Sequence, residues 1–160
     1  MFDLLFLDVR NNQGGDFEAE KFLPSYLFRK SIKYLPHSKE FEIVTPKKIV
    51  SKGTKCILIN GGIFFSTGIL CSYPESTKRG ISIGEETAGN KIIISVNPMN
   101  SVLPNTKNIT QMSTTRYVIR NNNNVGHGVI AAYYTTSTIK NIITRKVITK
   151  DLEVSIISKK

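Results

Sequence analysis

The chain is short of the residues from which disulfide frameworks and metal centres are built. Its 160 residues include two cysteines and two histidines. Cys56 falls in an apolar stretch and reads as a small buried filler. Cys71 follows no strand-to-turn junction that would present it as a nucleophile. His37 and His127 lie far apart, and no metal-ligand spacing accompanies either, so neither a metal nor a cofactor is expected. No apolar run approaches the roughly 18 to 20 residues that a membrane helix needs. The opening MFDLLFLDVR has no basic leader, and Asp3 and Asp8 interrupt its apolar run, so it reads as a core strand and not as a signal peptide. The sequence therefore leaves the compartment open. Lys and Arg outnumber Asp and Glu by 22 to 12, a net charge of +10. The basic residues are scattered, with small clusters such as Lys47-Lys48 and Lys159-Lys160. No helix-turn-helix, zinc-finger or aromatic RNA-binding pattern accompanies them. The charge reads as a solvated surface, and nucleic acid is not expected as a partner.

What is present is the pattern of one globular domain, with 40% hydrophobic residues and no internal repeat. Asp3 to Val9 predicts a strand buried on both faces, and Asn11 to Gly15 a turn. Asp16 can cap a helix running from Phe17 to about Lys33, with Pro24 as an interruption. Glu40 to Val44 and Cys56 to Asn60 predict strands, separated by a basic loop over Thr45 to Gly53. Ser66 to Tyr73 predicts a short helix that ends or kinks near Pro74, followed by a strand over Gly80 to Gly84. Beyond it, Lys91 to Val96, Val102 to Leu103, Asn108 to Ser113 and Arg116 to Arg120 read as β, and Asn121 to Asn124 as a polar loop. The strand–helix–strand alternation up to Gly84 argues an α/β core with parallel pairing, to which the later β segments add a smaller subsheet.

Two blocks carry chemistry. TKCILIN is a strand, GGIFF a tight passage after it, and Ser66 opens the next helix. A hydroxyl at a helix N-terminus lies beside free N–H groups and the positive end of the helix dipole, which favour developing negative charge. The same residue would serve as an ordinary helix cap. LLFLDVRNNQGGD is the second block, a strand ending in an Asn/Gly-rich turn. The glycines Gly14 and Gly15 allow close backbone approach and can aim N–H groups; they also suit a plain turn.

Together the blocks resemble a family. DVRNNQGG (Asp8 to Gly15) is similar to the D-L-R-x-N-x-G-G motif of tail-specific, C-terminal-processing serine proteases. ILINGGIFFSTG (Ile57 to Gly68) is similar to that family's strand, glycine turn and nucleophilic serine. IGEETAGN (Ile83 to Asn90) resembles its G-E-x-T-x-G turn. VLPNTKNIT (Val102 to Thr110) and GHGVI (Gly126 to Ile130) resemble later segments of the bacterial branch. The five pieces keep the family's order and span most of the chain. The resemblance implies a ClpP/crotonase-like spiral of β and α units, and favours helix over Ser137 to Arg145 and Lys150 to Ser158. It also implies that residues 1–160 are a single catalytic core without the family's N-terminal half and PDZ-like module.

By the same resemblance Ser66 is the nucleophile. The oxyanion donors are the backbone N–H of Thr67 and that of Gly14, with Gly15 the near alternative. Arg10 and Asn12 organise the turn. The general base is less direct. Aligning the G-E-x-T-x-G turn places Asn90 where many members carry a lysine, whereas counting from the serine selects Lys91. A lysine base would need desolvation to lower its pKa towards neutrality. Ile69 replaces a glutamate of the family pattern, Ser95 replaces a glutamine, and GVIAAYY lacks the usual Pro-Asp. Other branches draw a histidine from the upstream half; His127 reads as structural. The function implied is a serine peptidase acting on protein or peptide substrates through a Ser66 acyl-enzyme. The alternative is a catalytically inactive peptide-binding paralogue or fragment. Relatives commonly work outside the cytoplasm.

Overall fold

The computed structural model describes residues 4–15, 17–34, 42–50, 53–77, 80–90, 93–118 and 126–144. In chain order the elements are β1 (Leu4–Asp8), α1 (Phe17–Leu27), β2 (Ile32–Tyr34), β3 (Glu42–Val44), β4 (Thr54–Ile59), α2 (Phe65–Thr77), β5 (Gly80–Gly84), β6 (Ile93–Val102), β7 (Ile109–Val118), β8 (Tyr133–Tyr134) and α3 (Ile139–Ile143). Four strands form a parallel sheet in the order β1-β4-β5-β8. Two antiparallel ribbons, β2–β3 and β6–β7, stand apart from it. The α/β class with a smaller subsheet expected from the sequence is the class observed.

Strand β4 is the centre of the sheet, paired with β1 on one side and β5 on the other. Alternation sends its side chains into two apolar layers. Ile57 and Ile59 pack with Val9, Ile63, Cys71 and Val129. Cys56 and Leu58 pack with Ile83, flanked by Leu4, Phe6 and Ile81. Both cysteines are buried, and neither is joined in a disulfide. A third cluster joins the helices to the β2–β3 ribbon through Leu27, Phe28, Tyr34, Val44, Ile69 and Tyr73. There the Tyr34 and Tyr73 rings stack at 5.5 Å. Ile69, which replaces the family's glutamate, is a fully enclosed member of this cluster.

Several boundaries differ from those read in the sequence. Helix α1 stops at Leu27 and not at Lys33, because Ile32 to Tyr34 pair with Val44 to Glu42. A β-branched isoleucine and a tyrosine gain more in that ribbon than in a helix extension. Helix α2 passes through Pro74 to Thr77. Proline removes one helical hydrogen bond, but Leu70, Cys71 and Tyr73 are buried on the preceding turn and hold the segment down. Strands β6 and β7 are each continuous over ten residues, where the sequence suggested two shorter pieces apiece. Pro98 is tolerated opposite Ser113 because each strand of a two-stranded ribbon has a free edge. Residues 45–50 form the loop expected of the basic stretch, and α3 covers Ile139–Ile143 of the helix expected over Ser137 to Arg145. Strand β8 was not foreseen. Asp16, Asn121 to Asn124, and Lys150 to Ser158 lie outside the described residues. Among the described residues, no helix is long and apolar enough to cross a membrane.

The enclosed position of Ile69 makes it a sensitive probe of this packing. Ile69→Ala is expected to lower stability by about 2 to 5 kcal/mol, read from urea denaturation midpoints. A loss of only a few tenths would mean that the α1–α2 layer is not packed as described.

Candidate functional site

Parallel pairing puts the carboxyl ends of β1, β4 and β5 on one edge of the sheet, the edge at which open α/β sheets build their sites. Three loops leave that edge: residues 9–15 after β1, 60–64 after β4, and 85–90 after β5.

The first loop is folded by its own side chains. Asn11 adopts φ 59° and Gly14 φ 85°. The Asn12 side-chain oxygen accepts the Gly14 N–H at 2.9 Å, and its backbone oxygen accepts the Phe64 N–H at 3.2 Å. Arg10 turns back onto Asp8: Nε donates to Oδ1 at 2.9 Å and Nη2 to Oδ2 at 2.6 Å. The Arg10 N–H adds a third bond to Oδ1. This guanidinium holds the Asp8 carboxyl below its ordinary value of 3.8, against the opposing effect of partial burial.

The second loop delivers Ser66. Phe65 begins α2 with φ 46°, a conformation that costs a bulky side chain on the order of 1 kcal/mol or more, and Ser66 follows in the first turn. The Ser66 hydroxyl accepts the Gly15 N–H at 3.1 Å, and its oxygen lies 3.5 Å from the Gly15 carbonyl. Ser66 and Thr67 are both buried. Gly14 permits this approach: a Cβ there would come within 2.9 Å of both Ser66 Oγ and Phe65 Cβ. Beside Gly15, in contrast, a Cβ would meet nothing within 4 Å.

The third loop is fastened to the second. The Gly89 N–H donates to the Ile63 carbonyl at 2.8 Å, and a Cβ on Gly89 would press on the Phe64 backbone at 2.9 Å. The Gly89 and Asn90 carbonyls lie against Gly68 in α2. Thr87, itself buried, accepts the Val129 N–H at 2.8 Å and donates to the Gly89 carbonyl. Glu86 accepts the Gly128 N–H at 2.9 Å, with His127 Nδ1 at 3.4 Å from the same oxygen. His127 is thus placed beside Glu86.

The structure therefore brings Ser66, Gly14, Gly15 and Asn12 together. It commits the Gly14 N–H to Asn12 and aims the Gly15 N–H at the serine oxygen. Arg10 reaches its turn through Asp8. Thr67 occupies the first turn of α2. Lys91 and His37 lie outside the described residues. Among the described residues, no group of three or more His, Cys, Asp or Glu could hold a metal ion. Sequence reasoning missed Asn60. Its Oδ1 accepts the N–H groups of Asn11 and Gly62, at 2.9 and 3.1 Å, and its Nδ2 donates to Asn11 Oδ1 at 2.9 Å. The signal available was an Asn at the end of a strand before two glycines, which is indistinguishable from an ordinary turn residue.

The sequence model of peptidase family S41 matches residues 2–154, and the chain belongs to that family. No curated protein sequence matches it. Solved structures do. A candidate peptidase from Parabacteroides merdae superposes with a TM-score of 0.66 at 17% identity, covering 95% of this chain and 51% of that one. The photosystem II D1 C-terminal processing protease gives 0.54 at 22% identity, over 83% of this chain and 34% of that one. Mature CPAF gives 0.61 at 14% identity, over 88% and 40% respectively. These likenesses establish a shared fold, and the chain spans about half or less of each of those proteins' length.

The Asp8–Arg10 pair yields a signed pH effect. Because the folded-state pKa is depressed, the pair contributes stability above the ordinary carboxyl value of 3.8 and loses it as pH falls through the lower folded value. The carboxylate is about half exposed, so its worth at neutral pH is under about 1 kcal/mol. Asp8→Asn is expected to be slightly less stable than wild type near pH 6, with the gap in melting temperature closing as the pH is taken below about 4. A gap that widens on acidification would contradict the pairing.

Proposed function

We propose that this member of peptidase family S41 is a serine peptidase, with Ser66 as nucleophile and residues 1–160 as a single catalytic core. The observation that carries the reading is the bond between the Gly15 N–H and Ser66 Oγ, which joins the two motif loops at the sheet edge. In the reaction, Ser66 Oγ bonds to a peptide carbonyl carbon while its proton passes to a general base. The carbonyl oxygen takes up the displaced electron pair. The Gly15 N–H supplies one donor to that oxyanion, and the family pattern makes the Thr67 N–H the second, at the positive end of α2. Collapse breaks the C–N bond, the base returns the proton to the leaving amine, and water then hydrolyses the acyl-enzyme.

Lys91 is the proposed base. Support comes from the Gly89–Asn90 backbone, which packs on Phe64, Phe65 and Gly68 around the serine and leads directly into residue 91. A neutral lysine there requires desolvation of its amine. Substrates are peptides, and the exposed, open side of Gly15 is where an extended chain would reach the serine. Because Ser66 itself is fully enclosed, a substrate carbonyl has to displace the Gly15 end of the turn from it while Asn11 stays anchored.

A fluorophosphonate probe is expected to label wild type and to spare Ser66→Ala. Lys91→Ala should retain the fold and lose at least about a hundredfold in peptide turnover, and wild-type turnover should fall on acidification as the amine takes up a proton. Peptide binding without any labelling of wild type would instead identify an inactive binding paralogue. Turnover unaffected by Lys91→Ala would move the base elsewhere.

A further inference from the structure

We infer that Asn60 is a positioning residue, one whose carboxamide sets where the Gly15 N–H meets the Ser66 oxygen; this rests on the serine-peptidase reading above. Asn60 directly follows β4 and bonds to the loop after β1. Three of its side-chain hydrogen bonds are short and mutually consistent. The oxygen receives the Asn11 and Gly62 N–H groups, and the nitrogen gives its proton to Asn11 Oδ1. The side chain thereby closes a two-way bond with a residue 49 positions away and fixes the start of its own loop at the same time. Asn11 is held in the left-handed region, φ 59°, where an asparagine is among the few side chains accepted readily.

The approach is also sterically prepared. A Cβ at Gly62 would lie 2.5 Å from Asn11 Oδ1, so the Asn11 carboxamide occupies space that only a glycine at 62 leaves open. From the pinned Asn11 the loop has little freedom to choose its end point. Asn12 accepts the Phe64 N–H through its backbone oxygen and the Gly14 N–H through its side chain. One residue later the Gly15 N–H reaches Ser66. The chain of bonds thus runs from Asn60 through Asn11, Asn12 and Gly14 to the donor at Gly15. These hydrogen bonds of Asn60 go to Asn11 and Gly62 and not to Ser66, so it acts through the loop. An amide is suited to this task because it must accept from two N–H groups and donate to a carbonyl oxygen at once. An aspartate lacks the donor and a leucine lacks both.

The inference is tested by two readouts on the full chain. Amide hydrogen exchange, followed by NMR, reads the position of the loop without reference to catalysis. In Asn60→Ala the Asn11, Gly62 and Gly15 amides are expected to exchange about tenfold faster or more, while the amides of β4 stay protected. The rate constant for fluorophosphonate labelling is expected to fall about tenfold or more, and kcat for a peptide to fall with KM little changed. If Asn60→Ala does not fold, Asn11→Gly removes the bond from Asn60 Nδ2 while keeping the left-handed backbone and the residue-11 N–H bond to Asn60 Oδ1, and is expected to raise Gly15 exchange by a smaller factor. Asn11→Asp, which restores the acceptor for Asn60 Nδ2, is expected to retain more reactivity than Asn11→Gly. Unaltered Gly15 exchange in Asn60→Ala, or in Asn11→Gly, overturns the inference even in an inactive protein. Equal reactivity of Asn11→Asp and Asn11→Gly also counts against it. Absence of labelling in wild type refutes the peptidase reading alone, since the exchange readout still decides the role of Asn60.

Discussion

The close approach of one backbone turn to one hydroxyl is the constraint around which this structure is arranged. Gly15 can reach Ser66 only because Gly14 has no side chain, because Asn12 absorbs the Gly14 N–H, and because the loops after β1 and β4 leave adjacent parallel strands at the same edge. Remove the parallel pairing and the two motifs would lie on opposite edges. The apolar layers on both faces of β4 are therefore more than ballast: they hold the register Asp8↔Leu58 that sets both loops off together.

Backbone strain collects at the same place. Of the three non-glycine residues with positive φ among the described residues, Asn11 and Phe65 flank this contact. Phe65 is exposed and bulky, with nothing in its side chain that prefers such a conformation. Strain of this kind persists only where neighbouring interactions outweigh it. Here the Asn12–Phe64 and Gly89–Ile63 backbone bonds clamp the segment from two sides. The loop after β5 is in turn fixed to residues 128 and 129 through Glu86 and Thr87. The site is thus a stack of loops, each fastened to the next by backbone and side-chain bonds that read as ordinary turn chemistry when taken alone.

That explains what could and could not be read in the sequence. The strands β1, β4 and β5 were legible within a residue or two, because near-continuous apolar runs bounded by turn residues leave few other readings. The helix ends were not, because they depend on contacts distant in sequence: Val44 draws Ile32 out of α1, and burial of Leu70 and Tyr73 carries α2 past a proline that local preference treats as a stop. Ser66, Gly14 and Gly15 were singled out by motif order, and Asn60 was not, although its bonds are as specific as theirs. Its partner is Asn11, which the motif counts as a variable position. A pairing between a variable residue and a strand-end asparagine leaves no local trace.

The two glycines of the turn also divide their work unequally. Gly14 is confined by its positive φ and by the serine pressing on it, so a side chain there is opposed twice over. Gly15 has ordinary φ and open space around its α-carbon, and it is exposed where Ser66 is enclosed. The contribution of Gly15 is its N–H and the clearance beside it. A group approaching the serine from that side meets the Gly15 donor first. In the proposed peptidase reaction the donor would pass from the resting hydroxyl to an incoming carbonyl oxygen without the loop abandoning its anchorage at Asn11. A turn fastened at one end and open at the other is what an oxyanion donor needs if it is to be fixed in place and still reachable.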